Sequence, residues 1–228
     1  MASTTFLDLC KLLRAESGTQ GTGPTTVVSQ TGLYANFVEW TRQAYQEVLR
    51  MHPWRFLWVQ DTSATIAAQS VYTSFAGVSN LGRIWKRKFF ETTNGNRRLT
   101  FMPFDQMDEL PTATGVPRYF SRRPDNAIVL YPTPDAIYTL KLDYQQDGHV
   151  LTSNSDEPLI PDTWLRDIIM YRALQHYATF NEDASAKALA DTGYNMRLSE
   201  MYAKYGAPLT VRPYALDHEV NDLGPELV

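Results

Sequence analysis

Helical patterns at the two ends of this chain are separated by a middle segment with the pattern of β-strands. Apolar side chains recur at the three- and four-residue spacing of helix faces in residues 1–53 and 154–206. None of these helices is amphipathic enough to be stable alone, so the helices from the two ends must pack together. The sequence therefore predicts an α+β fold, mainly a helical bundle, in which residues 1–53 and 154–206 form one discontinuous domain.

The first and last helices have clear boundary signals. Thr5 and Asp8 have the spacing of a capping box, and the last helical pattern runs from about Glu182 to Tyr205, before Gly206 and Pro208. The segment TWLRDIIMYRALQHYATF, residues 163–180, is apolar almost all round, which predicts a central buried helix. The expected core residues of this helix are Trp164, Leu165, Ile168, Ile169 and Leu174.

Residues 54–153 are predicted to form a small inserted antiparallel β module. The stretch IYTLKLDY, residues 137–144, alternates apolar and polar side chains, as a strand with one buried face does. Asn94-Gly95 separates two strand-like segments and is typical of a type I′ hairpin turn, which needs positive φ at both residues. The strands in this segment are bounded by prolines, not interrupted by them.

Charge is unevenly distributed along the chain, although the formal net charge is only −4. Residues 82–142 carry ten basic and six acidic side chains, whereas residues 143–228 carry six basic and fourteen acidic side chains. This asymmetry is consistent with contacts between neighbouring copies or with a large partner, and equally with a solvated acidic face.

The sequence contains no pattern that indicates catalysis, a bound metal or a cofactor. The four histidines are scattered, Cys10 lies on an apolar helix face, and GTQGTGPTT lacks the lysine of a nucleotide-binding loop. Paired carboxylates such as Asp156-Glu157 and Glu182-Asp183 occur at turns and helix starts, where acids cap backbone amides. His176 is expected to be a core histidine bonded to a carbonyl. We therefore predict no catalytic, cofactor-binding or metal-binding residues, while a hydrolase with an unrecognised carboxylate pair remains a third alternative.

A basic hairpin over residues 83–98 supports an alternative function. Cations and aromatic side chains are mixed in RIWKRKFF, and Arg97 and Arg98 follow on the returning strand. Such a surface can bind a nucleic-acid backbone, or it can face solvent or an acidic patch of a neighbouring subunit. The sequence pI of about 5.6 argues against a dedicated DNA-binding protein.

Residues 207–228 are predicted to be an extended C-terminal tail. Pro208 and Pro213 exclude a helix through its first half. Apolar side chains are nevertheless dense there, so we expect the tail to bind a partner on assembly. The predicted partner-binding residues are Leu209, Val211, Pro213, Tyr214 and Leu216.

Three segments of the chain resemble tailed-phage head-to-tail adaptor proteins, of podophages and siphophages alike. The first is TFLDLCKLLRAESGTQGTGPTTVVSQTGLYANFVEWTRQAYQEVLRMHPWRFL, residues 5–57. The second is VPRYFSRRPDNAIVLYPTPDAIYTLKLDYQQ, residues 116–146, and the third is SDEPLIPDTWLRDIIMYRALQHYATFNED, residues 155–183. The order of the three segments is more specific than any one of them, whereas the hairpin at residues 93–96 and the C-terminal tail depart from the family's pattern.

The resemblance implies a structural virion protein and not an enzyme. Its copies would form a dodecameric ring beneath the portal protein, connect the portal to tail or nozzle proteins, and continue the channel for genomic DNA without sequence-specific binding. It would be made and assembled in the host cytoplasm and end at the head-tail junction of the virion. No run of about 18 apolar residues occurs, so we expect no membrane contact.

Overall fold

The protein has a mixed helix and sheet structure, seen in a computed structural model that describes residues 4–73 and 81–206, with the backbone alone over 81–88. The prediction of a mainly helical bundle is wrong, because 42% of the structure is helical, 18% is strand and the strands form two sheets. The strand content of the middle of the chain was underestimated, because several strands there are only two to four residues long. The predicted C-terminal tail, residues 207–228, lies outside the described residues.

The chain divides into two compact units. The helical unit comprises residues 1–56 and 148–228, and the β unit comprises residues 57–147. The described part of the chain contains five α-helices: α1 (Phe6–Glu16), α2 (Gly32–Met51), α3 (Phe104–Asp108), α4 (Asp167–Phe180) and α5 (Ala184–Tyr205). Its strands are β1 (Trp58–Ala64), β2 (Val71–Tyr72), β3 (Leu81–Glu91), β4 (Arg97–Arg98), β5 (Thr100–Phe101), β6 (Tyr119–Arg122), β7 (Ile128–Tyr131) and β8 (Thr139–Gln146).

Helix α1 begins at the predicted capping box. The Thr5 hydroxyl accepts a hydrogen bond from the Asp8 backbone N–H, and the Asp8 carboxylate accepts one from the Thr5 N–H. These bonds satisfy two backbone donors that the first turn of a helix leaves unpaired. The apolar face of α1, which includes Phe6 and Leu13, is fully buried.

The core of the helical unit lies around α4. Helices α1 and α2 both pack on α4, and the rings of Phe37 and Tyr177 lie 5.9 Å apart between α2 and α4. The predicted burial is confirmed for four residues and wrong for Trp164, which is 45% exposed. Trp164 lies in a 3-10 turn before α4, where the Arg197 guanidinium stacks on its ring at 5.5 Å. The four buried residues are Leu165, Ile168, Ile169 and Leu174.

A buried arginine connects the start of the chain to the segment that precedes α4. Arg166 donates from Nε to the Ile160 carbonyl and from a terminal nitrogen to the Thr4 carbonyl, both at 3.0 Å. Its other terminal nitrogen lies 3.3 Å from a carboxylate oxygen of Glu157. Because Arg carries five donors in a planar fork, one side chain can bind Thr4 and the segment 157–160 at the same time.

The described residues of the β unit form two four-stranded sheets, with strand orders β1-β8-β3-β4 and β2-β7-β6-β5. The prediction of an all-antiparallel module is wrong in one respect, because β5 pairs with β6 in parallel. A single apolar cluster, which includes Phe89, Phe120 and Leu142, contains side chains from both sheets. The first and last strands of the unit, β1 and β8, are antiparallel neighbours with Trp58 opposite Gln145.

The hairpin between β3 and β4 differs from the predicted two-residue turn. Positive φ occurs at Gly95 (+94°) and Asn96 (+58°) and not at Asn94. The registered pair Glu91 and Arg97 leaves five residues in the loop, and the Glu91 carboxylate accepts a hydrogen bond from the Asn94 N–H at 2.9 Å. The left-handed residues therefore lie one position further along the chain than predicted.

We expect Gly95→Val to strain the hairpin by about 1–3 kcal/mol, since a β-branched residue rarely adopts positive φ. Amide hydrogen exchange of the loop and of β4 should accelerate, while the helical circular dichroism stays unchanged. Asn94→Val is the matched control, because Asn94 is exposed and its φ is not positive. Loss of helical signal in Gly95→Val would show that the hairpin is needed for the helical unit to fold.

A candidate anion-binding surface

Three arginines from different parts of the β unit lie close together on its surface. Arg97 and Arg98 form β4, and Arg118 directly precedes β6. The backbone N–H of Leu99, between β4 and β5, donates to the Phe89 carbonyl at 2.8 Å, and that of Thr100 donates to the Arg118 carbonyl at 2.8 Å. Since Leu99 is fully buried, it fixes this segment to the apolar core of the unit.

Together with Thr100 and Tyr119, the three arginines line a shallow, open pocket, which we call the arginine pocket. The side chains of Arg97, Arg98, Arg118 and Thr100 are exposed, and Tyr119 is half-buried. Guanidinium groups present planar forks of N–H donors that match carboxylate and phosphate oxygens. The pocket therefore has the chemistry to bind an anionic group.

No carboxylate in residues 4–73 or 81–206 forms an ion pair with Arg97, Arg98 or Arg118. Glu91, which faces Arg97 in the strand register, is fully buried and bonds the hairpin loop instead. Three uncompensated like charges on one small surface repel each other, so a bound anion would be favourable there.

The arginine pocket includes only part of the predicted basic hairpin. Arg97 and Arg98 belong to it, whereas the side chains of the basic residues in 83–88 lie outside the described residues. Arg118 was not predicted as a member of this surface. Its position depends on the parallel pairing of β5 with β6, a contact between segments that no local pattern reveals.

Several of the carboxylates and histidines considered in the sequence have structural contacts. Asp156 accepts from the N–H groups of Thr152 and Ser153, and these bonds hold the pKa of the Asp156 carboxyl below its usual value. Asp183 caps α5, as predicted. His176 lies 3.3 Å from the Glu47 carboxylate, so the predicted carbonyl partner is wrong.

No group of three or more histidine, cysteine, aspartate or glutamate side chains is arranged to hold a metal ion in the part of the chain that the structure describes. Likewise, no helix in that part is both long and apolar enough to span a bilayer. The predicted partner-binding residues Leu209, Val211, Pro213, Tyr214 and Leu216 fall outside the described residues.

The single cysteine, Cys10, is predicted to be unreactive in the native protein. Its side chain is fully buried, and this burial raises the pKa of the thiol to about 12. Since the thiolate is the reactive form, a thiol reagent should modify Cys10 only after unfolding. Absorbance measured with a chromogenic disulfide, in buffer and in denaturant, tests this expectation; rapid modification of the native chain would contradict it.

A search of curated proteins gave no significant match to this chain. A comparison with protein families matches residues 4–213 to the SU10 adaptor protein family. The match extends over most of the chain and includes residues of both compact units. The resemblance to phage head-to-tail adaptors is therefore confirmed, and the chain belongs to the SU10 adaptor protein family.

Proposed function

We propose that this protein is the subunit of a homo-oligomeric ring that connects the portal protein of a tailed phage to its tail or nozzle proteins. The observation that carries the proposal is the family match over residues 4–213. Family membership gives the protein a structural role in the phage virion. The ring, its twelve copies, its place beneath the portal and the passage of DNA through its channel belong to the proposal.

The surface of the helical unit supports self-association. Phe180 is 64% exposed, and its ring lies 5.4 Å from that of Trp40. On α5, Leu189 and Met196 are each half exposed. Large apolar side chains that are exposed on one copy gain stability when a neighbouring copy covers them, as expected for a ring subunit.

The decisive experiment is electron microscopy of the purified protein mixed with its portal protein. We expect class averages with a twelve-fold ring stacked on one end of the portal. The portal alone is the control, because it shows which density the added protein contributes. A portal that stays unchanged at high concentrations of the protein would contradict the proposed position.

We also propose that the C-terminal tail attaches the ring to the portal or to a neighbouring subunit through Leu209, Val211, Pro213, Tyr214 and Leu216. Burial of apolar side chains contributes about 25 cal/mol per Å², which nearly balances the cost of ordering a single tail. Several tails in one ring act together, so weak contacts become a stable attachment.

Deletion of residues 207–228 should therefore leave the melting temperature of the isolated chain nearly unchanged and abolish the portal complex. Differential scanning calorimetry measures the first effect, and co-sedimentation with the portal measures the second. A full-length chain with serine at the apolar positions 209, 211, 214 and 216 separates loss of side chains from loss of length. Normal portal binding by the truncated chain would exclude this role of the tail.

A nucleic-acid-binding module is the second candidate function, and the arginine pocket is the observation that favours it. Salt-dependent retention of short duplex DNA by the isolated chain, lost in Arg97→Glu/Arg98→Glu, would support this alternative. The same variant should still assemble with the portal if the adaptor function is correct and DNA binding is incidental.

A further inference from the structure

Asn94 and Gly95 lie next to each other in the exposed loop between β3 and β4. We infer that Asn94 is a site of spontaneous deamidation, which replaces its neutral amide by a carboxylate close to the arginine pocket. Water is the only reactant that the chain itself does not supply. An adaptor ring requires no chemical change in its subunits, so this modification goes beyond the proposed function.

The reaction uses the backbone nitrogen of Gly95, and asparagine is among the thermolabile residues of proteins. The nitrogen attacks the Asn94 side-chain carbon Cγ and gives up its proton. A C–N bond forms, the bond from Cγ to Nδ2 breaks, and the amide nitrogen leaves with that proton as ammonia. Water then opens the cyclic imide at either carbonyl carbon. Attack at Cγ gives aspartate, whereas attack at the main-chain carbon gives isoaspartate.

The surroundings of Gly95 leave room for this attack. A Cβ at residue 95 would meet no atom within 4 Å outside the glycine and its two neighbours, so the space beside its backbone is open. Both residues are exposed, which gives water access to the imide. Within residues 4–73 and 81–206 the Asn94 side-chain amide forms no hydrogen bond, so it is free to rotate toward the Gly95 nitrogen.

Two other asparagines show how an amide in this chain is protected. Asn154 also precedes a small residue, a serine, but its Oδ1 accepts hydrogen bonds from the Val27 N–H at 2.7 Å and the Thr26 hydroxyl at 3.2 Å. Asn96 is exposed in the same loop, but a bulky arginine follows it and begins β4. Asn94 therefore combines the free amide that Asn154 lacks with the small neighbour that Asn96 lacks.

Deamidation changes the charge next to the arginine pocket. Asn94 and Arg97 are three residues apart in one hairpin, so their Cα atoms are separated by at most about 11 Å. Their flexible side chains can bring the new carboxylate and the guanidinium within the distance of about 10 Å over which charges interact at 0.1 M salt. The carboxylate would offset part of the positive charge and weaken the binding of external anions.

Peptide mapping by mass spectrometry measures the reaction in the full-length chain. During incubation, the peptide with Asn94 should gain the mass of an amide-to-acid change and contain both aspartate and isoaspartate. The conversion should be faster at mildly alkaline pH, because the attacking nitrogen must lose its proton. Asn96 and Asn154 in the same sample are the controls and should remain amides. Asn94→Gln should abolish the change, since its longer side chain closes the ring far more slowly.

Retention on a heparin column measures the effect on the pocket, because heparin is a polyanion and its binding depends on salt. The incubated chain should elute at lower salt than the fresh chain, and Asn94→Asp should reproduce this shift without incubation. Asn94→Gln should elute with the fresh chain at every time. In Arg97→Glu/Arg98→Glu, incubation should no longer change the elution.

An Asn94 that stays an amide in the intact chain would overturn the inference. A synthetic peptide of residues 89–99, incubated in parallel, identifies the reason, since conversion in the peptide alone would show that the folded hairpin protects the amide. Conversion of Asn94 without a change in heparin retention would refute the effect on the pocket. Portal binding tests the adaptor function alone, so the two hypotheses can fail independently.

Discussion

Ile168→Asp is expected to destabilise the isolated chain by about 3 kcal/mol or more, because a carboxylate would be placed among apolar side chains without a partner. Ile168 is fully buried in α4, the helix on which α1 and α2 both pack. Domains of this size are stable by only about 5–15 kcal/mol, so much of the population should unfold on mild heating. Urea unfolding followed by circular dichroism gives the change in free energy.

Leu189→Asp is the matched control for this prediction. It introduces the same side chain into a helix of the same unit, at a residue that is half exposed. Surface substitutions of this kind change stability by about 0.5 kcal/mol. A soluble Ile168→Asp chain with an unchanged melting temperature would contradict the packing of α4 described above.

Arg166→Met should cost about 2–4 kcal/mol, which is the second largest effect we expect. The carbonyls of Thr4 and Ile160 would lose their charged donor, and each unsatisfied buried polar group costs about 1–3 kcal/mol. Glu157 contributes less, because its side chain is half exposed and can be hydrated. Amide hydrogen exchange near Thr4 should accelerate before the rest of the unit responds.

Arg50→Met is the control for charge removal, since Arg50 is exposed in the last turn of α2. Arg166→Lys should recover only part of the loss, because one ammonium group cannot reach three acceptors in different directions. Stability of Arg166→Met within 0.5 kcal/mol of the wild type, on the scale of ordinary surface changes, would show that Arg166 does not hold Thr4 against the segment before α4.

The helix boundaries could be predicted because their signals are local. Thr5 with Asp8 and Asp183 cap their helices through side-chain bonds to amides two or three residues away. Trp164 shows the limit of this reasoning. Its apolar type and position predicted burial, but a 3-10 turn precedes α4 and leaves the ring half exposed beneath Arg197. The helical period of residues 163–180 was predictable from local spacing, whereas the side on which the first turn places its ring was not.

The candidate site was only partly predictable for the same reason. Arg97 and Arg98 belong to a recognisable basic hairpin, whereas Arg118 joins them through a parallel strand pair. The extent of the sheets was underestimated because strands such as β2, β4 and β5 are two residues long and have no measurable period. Both the position of Arg118 and the extent of the sheets depend on contacts between segments that are distant in the sequence. Local residue spacing does not encode such contacts.

The antiparallel pairing of β1 with β8 affects the order in which the chain folds. Helices α2 and α4 pack together although the whole β unit lies between them in the sequence. Closing so long a loop carries a cost in conformational entropy. When β1 and β8 pair first, Trp58 and Gln145 become neighbours, and the loop between α2 and α4 is effectively shortened about fourfold. A fourfold shortening lowers the closure cost by about 1 kcal/mol. We therefore expect the β unit to form early and the discontinuous helical unit to assemble afterwards around ends that are already close together.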